Sequence, residues 1–448
     1  MITDEALRKL EKYMVKPATV TIDIPPSLAT TVAKYVGNKP SRIRRVIENG
    51  RSKLALRATL AMRNKATFVA KPKNIVPREG YFELIFPNDF KLRVTREMLK
   101  RIGKTVSDVI SALSDWWLVK VEREEGTVVA KKAVALRAKV DYETARAISE
   151  EVDIPLAEVL TLGLGIKPEA IEKLNLLYTI RWAVVISRGD YTLHVIQLTN
   201  AGTGKTTFGV RLVTLCNAEI ISEVPTPARL VYDARTGYGA VVLSDMIVFD
   251  EIDKWEDKAK MRAIVSVLNT GLENGIWTRG ASSLESVDII KRIPTLWFGN
   301  SSPLATSIRP REYIRMTAKQ MWGINPEQFE QRFTVIDVWY SAPNIATAFR
   351  PLILTDAVIR GLIELARRRL RPLEDYDTTL EGRYAKHSQR LQALFDVLEY
   401  YKGSGEVETQ MFDAIIMGAV RFEELQFKKI SVEEALSKLV EVKNSVFR

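Results

Sequence analysis

Thr192-Leu193-His194-Val195-Ile196-Gln197-Leu198 runs directly into Thr199-Asn200-Ala201-Gly202-Thr203-Gly204-Lys205-Thr206-Thr207. The first run reads as a buried strand and Phe208 to Leu215 as a helix, so the glycines fall at a strand-to-helix turn. There they let backbone N–H groups converge on phosphate oxygens, and the helix N-terminus adds the positive end of its dipole. Lys205 supplies a mobile charge, and the Thr206 hydroxyl suits Mg²⁺. The expected nucleotide-binding set is therefore Asn200, Ala201, Gly202, Thr203, Gly204, Lys205, Thr206 and Thr207.

Further along, Met246-Ile247-Val248-Phe249-Asp250-Glu251 is an apolar run ending in two acids. A buried parallel strand requires such a run, and its C-terminal end is where ligands bind in parallel sheets. Asp250 is expected to hold Mg²⁺ with Thr206, and Glu251 to polarise an attacking water. A third strand, Pro294 to Asn300, ends on Asn300, which is able to hydrogen-bond that water or a γ-phosphate. The order of these motifs resembles that of AAA+ ATPases. Thr199 departs from the Walker A pattern by standing where its first glycine falls, and must avoid a left-handed backbone. Arg332, about thirty residues after Asn300, suits an arginine finger directed at the γ-phosphate of a neighbouring subunit, which implies a ring. The catalytic candidates are Lys205, Glu251, Asn300 and Arg332, with ATP and Mg²⁺ as cofactors.

Pro227-Ala228-Arg229-Leu230-Val231-Tyr232-Asp233 and Gly237-Tyr238-Gly239-Ala240-Val241-Val242-Leu243-Ser244-Asp245 resemble the Lon-like BrxL ATPases of bacterial phage-defence systems. So do Leu164 to Glu169, Leu272 to Gly280 and Phe298-Gly299-Asn300. The resemblance extends over about 155 to 430. More distantly it implies the AAA+ group that carries a hairpin before sensor 1, the MCM helicases included, whose hairpins grip DNA in a central channel. The corresponding DNA-contact candidates are Arg235 with Tyr238, and Arg279 at the base of the 280–288 loop; subunit packing is the alternative role for either loop. Arg390 corresponds to a sensor 2 arginine, with Arg383 as competitor. The chain ends about twenty residues beyond the matching segment, so no Lon protease-like domain is expected.

Charge is unevenly placed. Lys34 to Lys104 carries nineteen Lys/Arg against five Asp/Glu, while the whole chain is only +11, so the remainder is slightly acidic. Such a basic region is the electrostatic footprint of a polyanion partner, nucleic acid first. Arg42, Arg44, Arg45, Arg51 and Lys53 are the leading DNA-contact candidates. The alternating run Ala18 to Pro25, a helix over Ser27 to Tyr35 and a second from Ser41 toward Leu56 resemble a ribbon-helix-helix over 18–57; a generic α+β domain is the alternative. Apolar spacing predicts a further helix over Val94 to Leu113, and Leu118 to Ala133 reads as two strands joined at Glu125-Gly126. One cysteine, Cys216, excludes intramolecular disulfides, and no apolar stretch reaches the roughly 18 residues of a spanning helix.

The expected fold is α/β: an AAA+ P-loop core with a parallel sheet and helices on both faces, a helical C-terminal lid, and a basic α+β N-terminal domain. The expected segments are 1–140, a helical connector 141–177, the core 178–350 and the lid 351–448. This implies a cytoplasmic, non-membrane ring, a hexamer by family resemblance, that binds DNA and translocates on, unwinds or remodels it. A DNA-bound scaffold ring and a protein remodeller are the alternatives.

Overall fold

The computed structural model describes residues 2–16, 32–33, 35–37, 39–95, 113, 115–136, 140–233, 237–279, 287–302, 304–340, 342–344, 352–400 and 406–446. It divides into two compact units, one of residues 17–140 with 228–244, the other of 1–16, 141–227 and 245–448. Residues 18–31 lie outside the described set, and with them most of the ribbon and first helix of the ribbon-helix-helix reading.

In the smaller unit the expected single helix from Ser41 toward Leu56 is two, Pro40–Arg51 and Lys53–Arg63. The break is local chemistry: Ser52 takes extended dihedrals and its hydroxyl accepts from Ala55 N at 3.3 Å, capping the second helix. Gly50 permits the close approach that seats the first helix, because a Cβ there would lie 2.1 Å from the Val69 carbonyl oxygen. Strands follow: β1 (Lys65–Ala70), β2 (Asn74–Arg78), β3 (Tyr81–Ile85), β4 (Lys91–Thr95), β5 (Trp116–Glu124) and β6 (Thr127–Leu136). They form two antiparallel three-stranded sheets, β1-β5-β6 and β2-β3-β4. Val94, expected to open a helix, instead lies in β4, whose alternation buries Leu92 and Val94; residues 96–112 are outside the described set. The β5–β6 turn is where the sequence places it, with Glu125 and Gly126 both at positive φ. Phe68 and Phe86 meet edge to face in the core, at 5.2 Å between centroids.

The larger unit holds β7 (His194–Thr199), β8 (Ala218–Ile221), β11 (Met246–Phe249), β14 (Thr295–Asn300) and β15 (Val335–Trp339) in one parallel sheet ordered β15-β7-β14-β11-β8. Every residue of β7, β11 and β15 is buried; β11 is apolar throughout, while β7 and β15 carry the buried polar residues His194, Gln197, Thr199 and Asp337 among apolar ones. The helix Pro168–Ile186 runs without interruption across 177 and 178. Between β8 and β11 the chain leaves this unit: β9 (Tyr232–Asp233) and β10 (Gly237–Tyr238) pair with each other, and Tyr238 and Leu243 pack on the core of the smaller unit. The hairpin β12 (Ile276–Arg279) and β13 (Val287–Ile290) precedes β14.

The C-terminal region is helical, with helices at Asp356–Arg368, Gly382–Val397, Glu406–Ile416, Phe422–Gln426 and Val432–Val446. Its arginines close the carbonyl ends of other helices. Arg360 donates to Thr214 and Leu215, Arg367 to Val185 and Ile186, and Arg369 to Val397. Each supplies donors and a positive charge where a helix has free carbonyls and the negative end of its dipole. Among the described residues no helix is long and apolar enough to cross a membrane.

Candidate functional site

The loop after β7 owes its shape to two glycines. Gly202 and Gly204 have φ of +84° and +73°, a region other residues enter at a cost, and Gly204 opens the helix Lys205–Leu215. Thr199 stays in the strand and out of the left-handed region, as its side chain demands. Its hydroxyl lies 2.7 Å from that of Thr203 and accepts from Lys205 Nζ at 2.9 Å. The ammonium also reaches the Thr199 carbonyl (2.9 Å), the Asn200 carbonyl (3.2 Å) and Asn300 Oδ1 (3.1 Å). Burial, then the nearby Arg181 charge, lowers the Lys205 pKa to about 8, opposed by Asp253 and Asp250.

Beneath the loop lies a buried polar network that the sequence does not announce. Arg181, in the helix Pro168–Ile186, is fully buried; its Nη1 donates to the Thr203 carbonyl at 3.0 Å and its Nε to Gln197 Oε1 at 2.7 Å. Gln197 Nε2 in turn donates to Asp337 Oδ2 at 3.0 Å, as does Trp339 Nε1 at 2.7 Å. The guanidinium also faces the rings of Tyr178, Phe298 and Phe208, at 4.6, 5.1 and 5.5 Å. Burial raises the Asp337 carboxyl to about 7 and lowers the Arg181 pKa. The one available signal was a lone charge, Arg181, in the otherwise uncharged stretch from Leu176 to Ile186.

Asp250, at the end of β11, is buried and accepts from the Thr206 hydroxyl at 3.1 Å. A hydroxyl and a carboxylate are the hard oxygen donors Mg²⁺ takes, so this pair fits the metal. Glu251 has φ +55°, a left-handed conformation rare for a residue with a side chain, and its half-exposed carboxylate pairs with Lys254. Asn300 ends β14 beside Lys205. Its backbone N and its Nδ2 donate to Asp253 Oδ1 and Oδ2, at 2.9 and 3.0 Å. Asp253 was missed by sequence reasoning, because an acid four residues past the strand reads as solvated turn.

Lys205 with Asn300, and the adjacent Thr206 with Asp250, are thus two hydrogen-bonded pairs at the start of one helix. The other candidates have different surroundings. Arg332 is 12 % exposed and paired with Glu273 Oε2 at 2.6 Å, and Glu273 also takes Arg383. Arg390 donates to the Asp190 carbonyl at 2.6 Å. Arg42, Arg44, Arg45, Arg51 and Lys53 are exposed; Lys53 pairs with Asp89 at 3.2 Å. Tyr238 is half-buried, its ring against Tyr232 at 5.7 Å, and Arg279 ends β12 partly buried. Arg235 lies outside the described residues.

Residues 136–290 match the family model described as "Lon-like protease BrxL-like, ATPase domain". The chain carries a BrxL-like ATPase domain. The match holds the phosphate loop, Asp250 and Glu251, and stops ten residues before Asn300. Beyond this ATPase domain the chain is similar, over 80–87 % of its length, to proteins of viruses. A protein printed as "Uncharacterized protein ORF425", of Acidianus filamentous virus 2, is 26 % identical over 385 residues, covering 80 % of this chain and 87 % of the relative. "Uncharacterized protein 440" of Sulfolobus islandicus rod-shaped virus 1 is 25 % identical over 401 residues, covering 87 % and 90 %. "Uncharacterized protein ORF426" of Acidianus filamentous virus 1 is 24 % identical over 383 residues, covering 81 % and 87 %.

Proposed function

We propose that the protein is a ring-forming ATPase that binds DNA through its basic N-terminal helices and uses ATP hydrolysis to translocate on, unwind or remodel it. The observation that carries the hydrolytic part is the convergence of Lys205, Thr206, Asp250 and Asn300. The DNA part rests on Arg42, Arg44 and Arg45, exposed on one helix with no ionic partner among the described residues. They adjoin a stretch from Asn49 to Arg78 that holds no acid at all. Unneutralised arginines on a helix surface are the features that bind phosphates by counterion release.

On this reading Lys205 leaves its four oxygen acceptors for the phosphates of ATP, and Thr206 and Asp250 hold Mg²⁺. The metal supplies charge neutralisation of the phosphate oxygens and orients them for in-line attack. Glu251 exchanges Lys254 for the attacking water and takes its proton. Arg332, as a finger, exchanges Glu273 for the γ-phosphate of the neighbouring subunit, which makes a ring, a hexamer by family resemblance, the working form.

ATP hydrolysis measured without DNA, with single strands and with duplex, using Lys205→Ala as the blank, tests the reading. Stimulation by DNA and strand displacement that needs Glu251 support a motor. Footprinting that needs only ATP and survives Glu251→Gln points instead to a DNA-bound scaffold, and no salt-dependent affinity for any DNA removes both.

A further inference from the structure

Two groups force the orientation of the Asn300 amide. A carboxylate only accepts hydrogen bonds and an ammonium only donates them. With Asp253 Oδ2 3.0 Å from one end of the amide and Lys205 Nζ 3.1 Å from the other, the NH₂ must face Asp253 and the carbonyl oxygen must face the lysine. The backbone N of Asn300, bonded to Asp253 Oδ1 at 2.9 Å, makes the grip two-pronged and fixes the carboxylate against the residue whose amide it orients. Asp253 is itself fixed by the short helical turn Ile252–Lys254, and the close packing at Gly299, whose Cβ would lie 3.2 Å from Asp253 Oδ1, leaves the carboxylate little room.

We infer that Asp253 is a positioning residue that makes Asn300 an acceptor toward the reacting centre, and therefore a group that orients the attacking water and not one that contacts the γ-phosphate. The inference rests on the ATPase reading of the same site. Once Lys205 moves to the phosphates, Asn300 Oδ1 faces the site with no donor. Phosphate oxygens accept only, so they cannot replace the ammonium; a water can, by donating one hydrogen to Oδ1 while its other is taken by Glu251. Two hydrogen bonds from a rigid turn hold the acceptor in place, which is what keeping a nucleophile in line requires.

The test compares steady-state hydrolysis and equilibrium binding of a fluorescent ATP analogue in the full chain, for wild type, Lys205→Ala, Asn300→Ala, Asp253→Asn and the double change Asp253→Asn with Asn300→Asp. Asp253→Asn should lower kcat by roughly a hundredfold, as Asn300→Ala does, and leave analogue affinity within about threefold of wild type. The double change reverses donor and acceptor between the two side chains while keeping an oxygen toward Lys205 and an acceptor for the backbone N. It should recover roughly tenfold in kcat over Asp253→Asn alone, a gain that general loosening of the turn would not give. Unchanged kcat in Asp253→Asn alongside a deficient Asn300→Ala overturns the inference and leaves the ATPase reading standing, as does a double variant no better than the single. A wild type without Lys205-dependent hydrolysis overturns both.

Discussion

The Arg181 guanidinium donates to the Thr203 carbonyl at 3.0 Å, so a helix that precedes the sheet in sequence holds the phosphate loop from below. Replacing it with methionine keeps the volume and removes the donors, leaving Gln197 Oε1 and the Thr203 carbonyl buried without their partner. Arg181→Met should cost about 2–4 kcal/mol in thermal or denaturant unfolding and raise the KM for ATP. A variant with wild-type stability and KM would show that the network does not support the loop.

Asp337 should leave a signature in the pH dependence of stability. Burial raises its pKa from 3.8 to about 7, so between those values the folded protein binds a proton that the unfolded chain releases. The sign follows: its contribution is fully present below about pH 4 and is lost as pH rises through about 7. Asp337→Asn mimics the protonated form. It should flatten the fall in melting temperature between pH 5 and 8, to the variant's advantage at pH 8; an unchanged slope would contradict the assignment.

ATP affinity should fall at alkaline pH. Lys205, with its pKa lowered to about 8, loses in the free protein the charge that phosphates require. The apparent Kd for ATP should be nearly flat from pH 7 to 7.5 and rise by roughly tenfold per unit well above 8, with no such rise in Lys205→Ala. Thr199→Val removes one acceptor of the ammonium and should move the rise to lower pH. An unshifted profile would mean that the Thr199 hydroxyl is indifferent to the lysine.

Gly237 has φ +87°, and a Cβ there would lie 2.2 Å from the Ile75 carbonyl oxygen. Gly237→Ala should therefore free the 228–244 segment from the smaller unit, costing about 2 kcal/mol or more. Limited proteolysis reads this directly as new cleavage between Ala228 and Ser244. Wild-type resistance to protease would contradict the packing.

The parallel sheet was legible because buried strands are largely apolar: β11 runs into Asp250, β14 ends on Asn300, and β7, interrupted by His194, Gln197 and Thr199, leads into the glycine loop that carries Lys205. Lys205, Asp250 and Asn300 follow from that geometry. Arg181 and Asp253 were not legible as site residues, since a single charge in a sequence carries no sign of whether it is solvated or caged; their meaning comes from Thr203 and Asn300, distant in the chain. The helix break at Ser52 was available in principle as a capping serine, but the apolar positions on either side continue one helical period. Lys91-Leu92-Arg93-Val94-Thr95 alternates as a strand should, and the helical spacing from Val94 onward concealed it. That 228–244 folds with the smaller unit is a tertiary fact, fixed by Gly237 meeting Ile75, 162 positions away, and by Tyr238 packing on that unit's core.

The central claim is that the cluster of Lys205, Thr206, Asp250 and Asn300 hydrolyses ATP in the service of DNA. Its most direct test is the ATP turnover of the full chain with and without DNA, beside Lys205→Ala. The account predicts hydrolysis that Lys205→Ala abolishes and that DNA accelerates, with acceleration fading as salt rises. Turnover that survives Lys205→Ala would contradict the site, and turnover indifferent to every form of DNA at low salt would contradict its purpose.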